Sequence, residues 1–106
     1  MSDFYSRVYE IVELIPYGRV TSYGAIAKAL GVARSSRLVG IAMNYSHLTH
    51  PHLPAHRVVN SSGLLTGKHH FTNIPMEILL EREEIIIMND QVQNFQDVFW
   101  NPLLEL

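Results

Sequence analysis

The chain has 106 residues, of which 47% are hydrophobic and 17% are charged, and its net charge is −2 at pH 7. This length and apolar content predict one domain, residues 1–106, with a packed core, and they exclude a disordered chain. The sequence contains no cysteine, which excludes disulfides, thiolate metal ligands and a cysteine nucleophile. No apolar run approaches the roughly 20 residues that span a bilayer, and the N-terminus has no export signal. We therefore expect a soluble, cytoplasmic protein without a membrane partner.

The charges are divided unevenly along the chain. Up to His70 there are seven basic and three acidic residues, whereas from Phe71 onward there are one basic residue, Arg82, and seven acidic residues. Lys and Arg supply most of the non-specific affinity of a protein for DNA. Any surface that faces DNA is therefore expected in the first two thirds of the chain.

Two helices are predicted near the N-terminus. Apolar residues recur every three or four positions in residues 4–15, which is typical of an amphipathic helix. Thr21 or Ser22 is a good N-cap for a second helix over residues 23–30, and Gly31 is well placed to end it.

A third helix is predicted over residues 37–43, with Ser35 or Ser36 as its N-cap. Together with the second helix and the short link between them, it has the pattern of a helix-turn-helix with an arginine, Arg37, at the start of its second helix. Two packed helices without any DNA-binding role give the same pattern. The residues alone leave both interpretations open.

Residues 44–54 are rich in histidine and proline and are predicted to form a loop. His47, His50 and His52 lie within six residues, and imidazole is a common ligand of transition metals. No cysteine accompanies them, and no carboxylate lies nearby in the sequence. We therefore predict a solvated surface loop, with no metal site and no cofactor.

The segment after this loop, residues 54–63, has a proline and a histidine on either side of Ala55, followed by two valines and a polar turn. The valines predict a short buried strand. Ser62-Gly63 predicts a turn into a hairpin whose second strand is residues 64–66.

The last third begins with a predicted polar loop over residues 67–73. Pro75 fits the first position of a helix that ends near residue 84. Residues 85–88 are β-branched or apolar and predict a buried strand. The acidic tail that follows predicts only that its aromatic side chains pack on the domain.

Several segments, taken in order, resemble one known family. The similarity is to the C-terminal domain of the O6-alkylguanine-DNA alkyltransferases, whose active-site cysteine takes an alkyl group from damaged guanine, and it runs from about residue 3 to about residue 87. The segments that carry it are residues 15–24, 26–31, 37–43 and 54–63. It implies a mainly α fold with a small β element, forming a single winged-helix-like helix-turn-helix domain.

The acceptor cysteine of those enzymes corresponds to Ala55 in this chain. The chain therefore resembles the alkyltransferase-like proteins, which bind alkylated guanine in DNA without repairing it and pass the lesion to nucleotide excision repair. Replacing a thiol by a methyl group removes the attacking atom and leaves room for the O6-alkyl group, so larger lesions would fit.

The resemblance also assigns DNA-binding residues. Arg37 corresponds to an arginine that enters from the minor groove and fills the space left by the flipped base. Tyr23 corresponds to a tyrosine that crowds the 3′ phosphate. On the residues alone, Arg37 is equally a solvent-exposed charge and Tyr23 a core aromatic. The predicted DNA-binding set is Thr21, Ser22, Tyr23, Arg37, Gly40 and Ala42.

The implied lesion pocket surrounds Ala55. In the enzymes the histidine after the cysteine reaches a glutamate through water. The matching His56 and Glu83 are predicted to be a structural pair, because there is no thiol to activate. Arg57 is expected to hold neighbouring carbonyl or carboxylate groups, and the contacts of the loop at residues 68–71 are not assigned. The predicted pocket set is Tyr23, Ala55, His56, Val59, Ser62 and Gly63.

The resulting hypothesis is a monomeric, non-enzymatic sensor that binds double-stranded DNA containing O6-alkylguanine, flips the nucleotide and directs it to nucleotide excision repair proteins. Its expected location is the cytoplasm, associated with the nucleoid when bound to DNA. The alternative is a helix-turn-helix transcription regulator, which would prefer a sequence, usually as a dimer on paired half-sites. A third hypothesis, an enzyme using His56 and Glu83 on another substrate, lacks a metal or a second carboxylate in the sequence.

Overall fold

The computed structural model describes residues 2–106, and these form a mainly helical fold with two small sheets. In chain order the elements are α1 (Ser2–Glu13), β1 (Thr21–Ser22), α2 (Tyr23–Ala29), α3 (Ser36–Thr49), a 3-10 turn (Ala55–Arg57), β2 (Val58–Val59), a second 3-10 turn (Lys68–His70), α4 (Met76–Glu81), β3 (Ile87–Met88), β4 (Gln91–Val92), α5 (Phe95–Val98) and α6 (Pro102–Glu105). Within residues 2–106, no helix is both long and apolar enough to cross a membrane.

The larger of two hydrophobic clusters lies among α1, α2 and α3. Val8, Ile26 and Val39, one from each helix, have no exposed surface in it. The phenol of Tyr9 on α1 donates a hydrogen bond of 2.7 Å to the carbonyl of Ala42 on α3. Apolar burial drives this packing, and the Tyr9 hydrogen bond fixes α3 on α1.

Local capping residues define the ends of α2. The hydroxyl of Ser22 accepts a hydrogen bond of 3.0 Å from the backbone N–H of Ala25. Gly31 adopts a φ of +78° just after the helix, and its N–H donates to the carbonyl of Lys28 at 3.0 Å. A positive φ favours glycine at this position. The predicted cap and the predicted end of this helix are confirmed.

The first small sheet joins two distant parts of the chain. β1 pairs with β2 in parallel, with Thr21 opposite Val58 and Ser22 opposite Val59. The predicted hairpin between residues 58–59 and 64–66 is therefore wrong, because the valine strand takes β1 as its partner. Leu64 instead forms a bridge to β4.

The second small sheet is a true hairpin. β3 and β4 pair antiparallel through Asn89 and Asp90, which have positive φ values of 53° and 59°. A two-residue turn with positive φ at both positions matches the twist of the two strands that it joins, and Asn and Asp tolerate positive φ. The predicted strand at residues 85–88 is confirmed at Ile87–Met88, but it is only half-buried, because Met88 is exposed.

Helix α3 is longer than predicted and reaches Thr49 instead of residue 43. Its buried positions continue beyond that point, because Met43 and Ser46 follow Val39 at helical spacing on the same face. Ser46 is accommodated in this buried face because its hydroxyl donates to the carbonyl of Met43 at 2.6 Å. Half of the predicted histidine-rich loop is thus helix.

The tail packs against the start of β1. The backbone of Trp100 donates to the carbonyl of Val20 at 2.7 Å, and Val20 donates to the carbonyl of Val98 at 2.9 Å. Trp100 is buried in the larger cluster, and the rings of Phe95 and Phe99 are 5.4 Å apart. The predicted packing of the aromatic tail is confirmed.

Candidate nucleic-acid interface

A cluster of polar contacts, centred on Glu83, fixes the segment that follows Ala55. The carboxylate of Glu83 accepts hydrogen bonds from Arg57 Nε at 3.0 Å and Nη2 at 2.9 Å, from His56 Nε2 at 2.6 Å and from the backbone N–H of Gly18 at 2.8 Å. Arg57 Nη1 also donates to the carbonyl of Ile15 at 2.7 Å. The predicted internal role of Arg57 is confirmed, and His56 contacts Glu83 directly.

The cluster also determines the charge of its members. Burial alone would raise the pKa of Glu83, but the hydrogen bonds from Arg57, His56 and Gly18 lower it below its ordinary value. Burial lowers the pKa of His56, and Glu83 reverses only part of this effect. Arg57 already neutralises the carboxylate, so at pH 7 His56 is neutral. Its Nε2–H donates to Glu83 and its Nδ1 remains an acceptor.

A cavity of about 290 Å³ lies beside Ala55. Ala55 and His56 line its floor, and the last turns of α3 contribute Ser46 and His47. Residues 70–74, which begin at the last residue of the second 3-10 turn, form the facing wall. Two of the residues predicted for the lesion pocket therefore lie at one cavity, and most of its walls come from segments that the sequence did not assign.

Three residues predicted for this pocket lie elsewhere. Val59 is fully buried in the smaller hydrophobic cluster. Gly63 packs against the ring of Phe95, and the carbonyl of Ser62 accepts a hydrogen bond of 2.8 Å from the side chain of Gln91. Because β2 leads the chain away from Ala55 toward the β3–β4 hairpin, these residues are close to Ala55 in sequence but do not line its cavity.

A second cavity, of about 420 Å³, lies at the start of α3. Tyr23, Arg37 and Gly40 line it together with Gly67. Arg37 is exposed, whereas Tyr23 is half-buried and its pKa is raised by burial, so its phenol remains a neutral donor. The structure thus brings together three residues of the predicted DNA-binding set.

The other three residues of that set are not available to DNA. Thr21 and Ala42 have no exposed surface and Ser22 has 5%. Thr21 and Ser22 form β1, and Ala42 faces the core between α1 and α3. Their positions beside Tyr23 and Gly40 in the sequence were misleading, because neighbouring residues point to different sides of a strand or helix.

Gly67 is a site residue that the sequence analysis missed. A side chain there would bring its Cβ to 2.9 Å from the phenolic oxygen of Tyr23, a distance that requires one of the groups to move. The absence of a side chain thus lets the phenol reach the segment before Lys68. A glycine directly preceding this unassigned loop was the available signal.

The two cavities meet at His70, which lines both of them. A groove of about 470 Å³ on the outer side of α3 also has His47 and His70 in its wall. The rings of these two histidines are nearly parallel, with centroids 5.8 Å apart, and the ring of Phe71 is nearly perpendicular to that of His47, with centroids 4.5 Å apart. Among residues 2–106, no group of three or more His, Cys, Asp or Glu side chains is arranged to hold a metal ion.

Comparison with known proteins identifies relatives of this chain. Residues 3–85 match the model of the 6-O-methylguanine DNA methyltransferase DNA-binding domain. Alkyltransferase-like protein 1 of Schizosaccharomyces pombe is 46% identical over 68 residues, and the match covers 64% of this chain and 62% of that protein. The methylated-DNA–protein-cysteine methyltransferase of Mycolicibacterium paratuberculosis is 41% identical over 66 residues, covering 62% of this chain and 39% of the enzyme. The chain thus spans less than two thirds of the length of each of these relatives.

The fold has a close structural counterpart as well. The crystal structure of S. pombe Atl1 in complex with damaged DNA containing O6-carboxymethylguanine superposes with a TM-score of 0.81 at 34% identity, covering 94% of this chain and 96% of that one. The predicted fold class is confirmed. Because the family model spans most of the sequence, the chain belongs to the family of 6-O-methylguanine DNA methyltransferase DNA-binding domains, and it resembles the alkyltransferase-like proteins.

Proposed function

We propose that this domain binds duplex DNA at the start of α3 and holds a flipped O6-alkylguanine in the cavity beside Ala55. The observation that carries the proposal is the junction of the two cavities at His70. The exposed cation of Arg37 and the phenol of Tyr23 lie on one side of the junction, and the recess above Ala55 lies on the other. The crystal structure of Atl1, which has a similar fold, in complex with damaged DNA supports the proposal that this domain binds a DNA lesion.

The free energy of flipping explains why both cavities are needed. Extruding a base costs a few kcal/mol of stacking and pairing. Insertion of Arg37 into the vacated space offsets part of this cost, and burial of the base beside Ala55 offsets a further part. A damaged base pair is weaker than an intact one, so the balance favours the lesion.

We further propose that binding ends with the lesion intact. Ala55 stands at the acceptor position, and with no cysteine in the sequence no thiolate is present to receive the alkyl group. His56 and Glu83 then serve as a structural pair that holds the floor of the cavity. A stable monomeric complex with a flipped nucleotide would be a recognisable signal, and we propose that it directs the lesion to nucleotide excision repair.

A fluorescence-anisotropy titration tests the binding. Matched short duplexes, one with O6-methylguanine and one with guanine, are titrated at one fixed salt concentration with the wild type, Arg37→Ala and Arg7→Ala. Arg7 is an exposed arginine on α1 and controls for the loss of one positive charge. We expect the wild type to prefer the lesion by about tenfold, or about 1.4 kcal/mol. The preference should shrink in Arg37→Ala and persist in Arg7→Ala.

Equal, weak binding of both duplexes by the wild type would refute lesion recognition. Binding-site selection from random duplexes would then test the regulator hypothesis, which requires one preferred sequence.

A further inference from the structure

The cavity beside Ala55 has an unusual set of polar side chains. Four histidines line it, His47, His50, His56 and His70, and none of the described residues that line it is Asp, Glu, Lys or Arg. Imidazole becomes a cation on protonation, within the pH range near neutrality. The cavity therefore can gain positive charge but has no lining carboxylate to neutralise it.

The four histidines are not equivalent. The Nε2 of His56 is hydrogen-bonded to the carboxylate of Glu83 at 2.6 Å. The Nδ1 of His50 lies 2.9 Å from the hydroxyl of Thr49, and its ring packs at 4.5 Å from that of Tyr9. His47 and His70 instead lie with their rings nearly parallel, with centroids 5.8 Å apart, and both line the cavity. They are the pair whose protons a ligand can most directly affect.

Groups on the surrounding elements leave this pair without an anionic partner. Lys68, close to the pair in sequence, is already engaged by Asp90. The other titratable or charged groups that share the three cavities with the pair are His50, His56, Arg37, Tyr23, Tyr45 and His69. Burial and the neighbouring charge of His70 lower the pKa of His47 below its ordinary value of 6.5, so His47 is neutral at pH 7.

We propose that His47 and His70 make the domain select O6-alkylguanines whose alkyl group ends in an acid, and that this selectivity increases as the pH falls. The inference rests on the proposed function and specifies the class of lesion. A carboxylate in the cavity stabilises the protonated form of the pair and offsets the repulsion between the two rings. A neutral alkyl group of the same size neither stabilises the protonated pair nor offsets this repulsion.

The sign of the pH dependence follows from linkage. With an acidic lesion bound, the carboxylate stabilises a proton on His47, so the complex binds more protons than the free protein does. Affinity for the acidic lesion then rises as the pH falls and becomes constant once His47 is protonated in the free protein as well. The carboxylic acid itself stays ionised above about pH 5.

The experiment compares two nearly isosteric lesions in the same duplex, O6-carboxymethylguanine and its neutral amide, O6-carbamoylmethylguanine. Each is titrated by anisotropy between pH 6 and pH 8 at constant ionic strength, with an unmodified duplex alongside. We expect the ratio of the two affinities, acid over amide, to rise roughly fivefold from pH 8 to pH 6 in the wild type. A proton that strengthens only contacts with DNA phosphates changes the affinity for both lesion duplexes equally, so its effect cancels in the ratio.

The variant His47→Gln/His70→Gln should show a ratio of acid to amide affinity that does not change with pH, whatever its affinity for the amide lesion. His52→Gln, which replaces an exposed histidine outside the cavity, should retain the wild-type pH dependence. A flat ratio in the wild type, with the amide lesion still preferred over guanine, would overturn this inference alone. Loss of any preference over guanine for both lesions would overturn the proposed function with it. A pH-dependent ratio that persists in the double variant would also contradict the assignment.

Discussion

The floor and the lid of the cavity beside Ala55 are held in different ways. The floor, formed by Ala55 and His56, is fixed by hydrogen bonds from His56 and Arg57 to the buried carboxylate of Glu83, by the hydrogen bond from the Arg57 side chain to the carbonyl of Ile15, and by pairing of the following strand, β2, with β1. The lid, residues 68–71, leads into the facing wall of the cavity through His70 and Phe71, and it is held by the exposed Lys68–Asp90 pair and by ring contacts of His47. The position of the floor is thus fixed by buried hydrogen bonds and strand pairing, whereas the position of the lid depends mainly on side-chain contacts at the surface.

This difference suggests how one fold can keep its DNA-binding geometry while the class of lesion varies. Buried hydrogen-bonded charges are costly to disturb, so the floor tolerates little change. Exposed pairs contribute little stability, so the residues of the lid can change without unfolding the domain. The selectivity of this chain is therefore expected to depend on the lid and on the facing turns of α3.

The largest expected effect is on the floor. Glu83→Gln leaves the charge of Arg57 buried without its partner, and we expect the free energy of unfolding to fall by about 3 kcal/mol. Urea denaturation followed by circular dichroism measures it, with Glu81→Gln, an exposed residue on α4, as the matched control. A loss in Glu83→Gln no larger than that of the control would show that the cluster does not hold the floor.

A smaller effect is expected from filling the cavity. Ala55→Leu places an isobutyl group where the lesion would lie, and we expect it to remove a lesion preference of about 1.4 kcal/mol without changing affinity for the guanine duplex. Ala55→Ser adds a single oxygen atom and should retain the preference. Anisotropy on the O6-methylguanine and guanine duplexes measures both variants. Undiminished preference in Ala55→Leu would place the lesion outside this cavity.

The smallest effect is expected at the lid. The side chains of Lys68 and Asp90 are 43% and 47% exposed, and Lys68→Ala should lower the free energy of unfolding by less than about 0.5 kcal/mol. Lys28→Ala, at an exposed lysine of α2, is the control for removing one surface cation. If Lys68→Ala instead cost as much as Glu83→Gln, the lid would be as firmly fixed as the floor, and the comparison would fail.

The sequence predicted well the features that depend on local chemistry or on a motif. The Ser22 cap and the end of α2 at Gly31 follow from residue type at a fixed spacing, whereas the internal contacts of Arg57 followed from the family resemblance. The pairing of His56 with Glu83 followed from the family resemblance. These features could be predicted because each depends on few residues.

The features that the sequence did not predict depend on the meeting of distant segments. The pairing of β2 with β1 instead of residues 64–66 placed Val59 in the core, and the extension of α3 placed His47 in the cavity wall. His47 and His70 are on separate elements, and periodicity within either element carries no information about their contact. The composition of a histidine-rich segment also does not tell whether it forms a loop or the last turns of a helix.

The long sequence separation of the contacts at the floor has a consequence for how the domain acquires its activity. Thr21 pairs with Val58, and the N–H of Gly18 reaches Glu83 across 65 residues. Contacts of this kind close large loops and form late in folding. A nascent chain that has not yet emerged as far as Glu83 would have its first three helices but no fixed cavity floor. The ability to hold a base in this cavity would therefore arise only with completion of the fold.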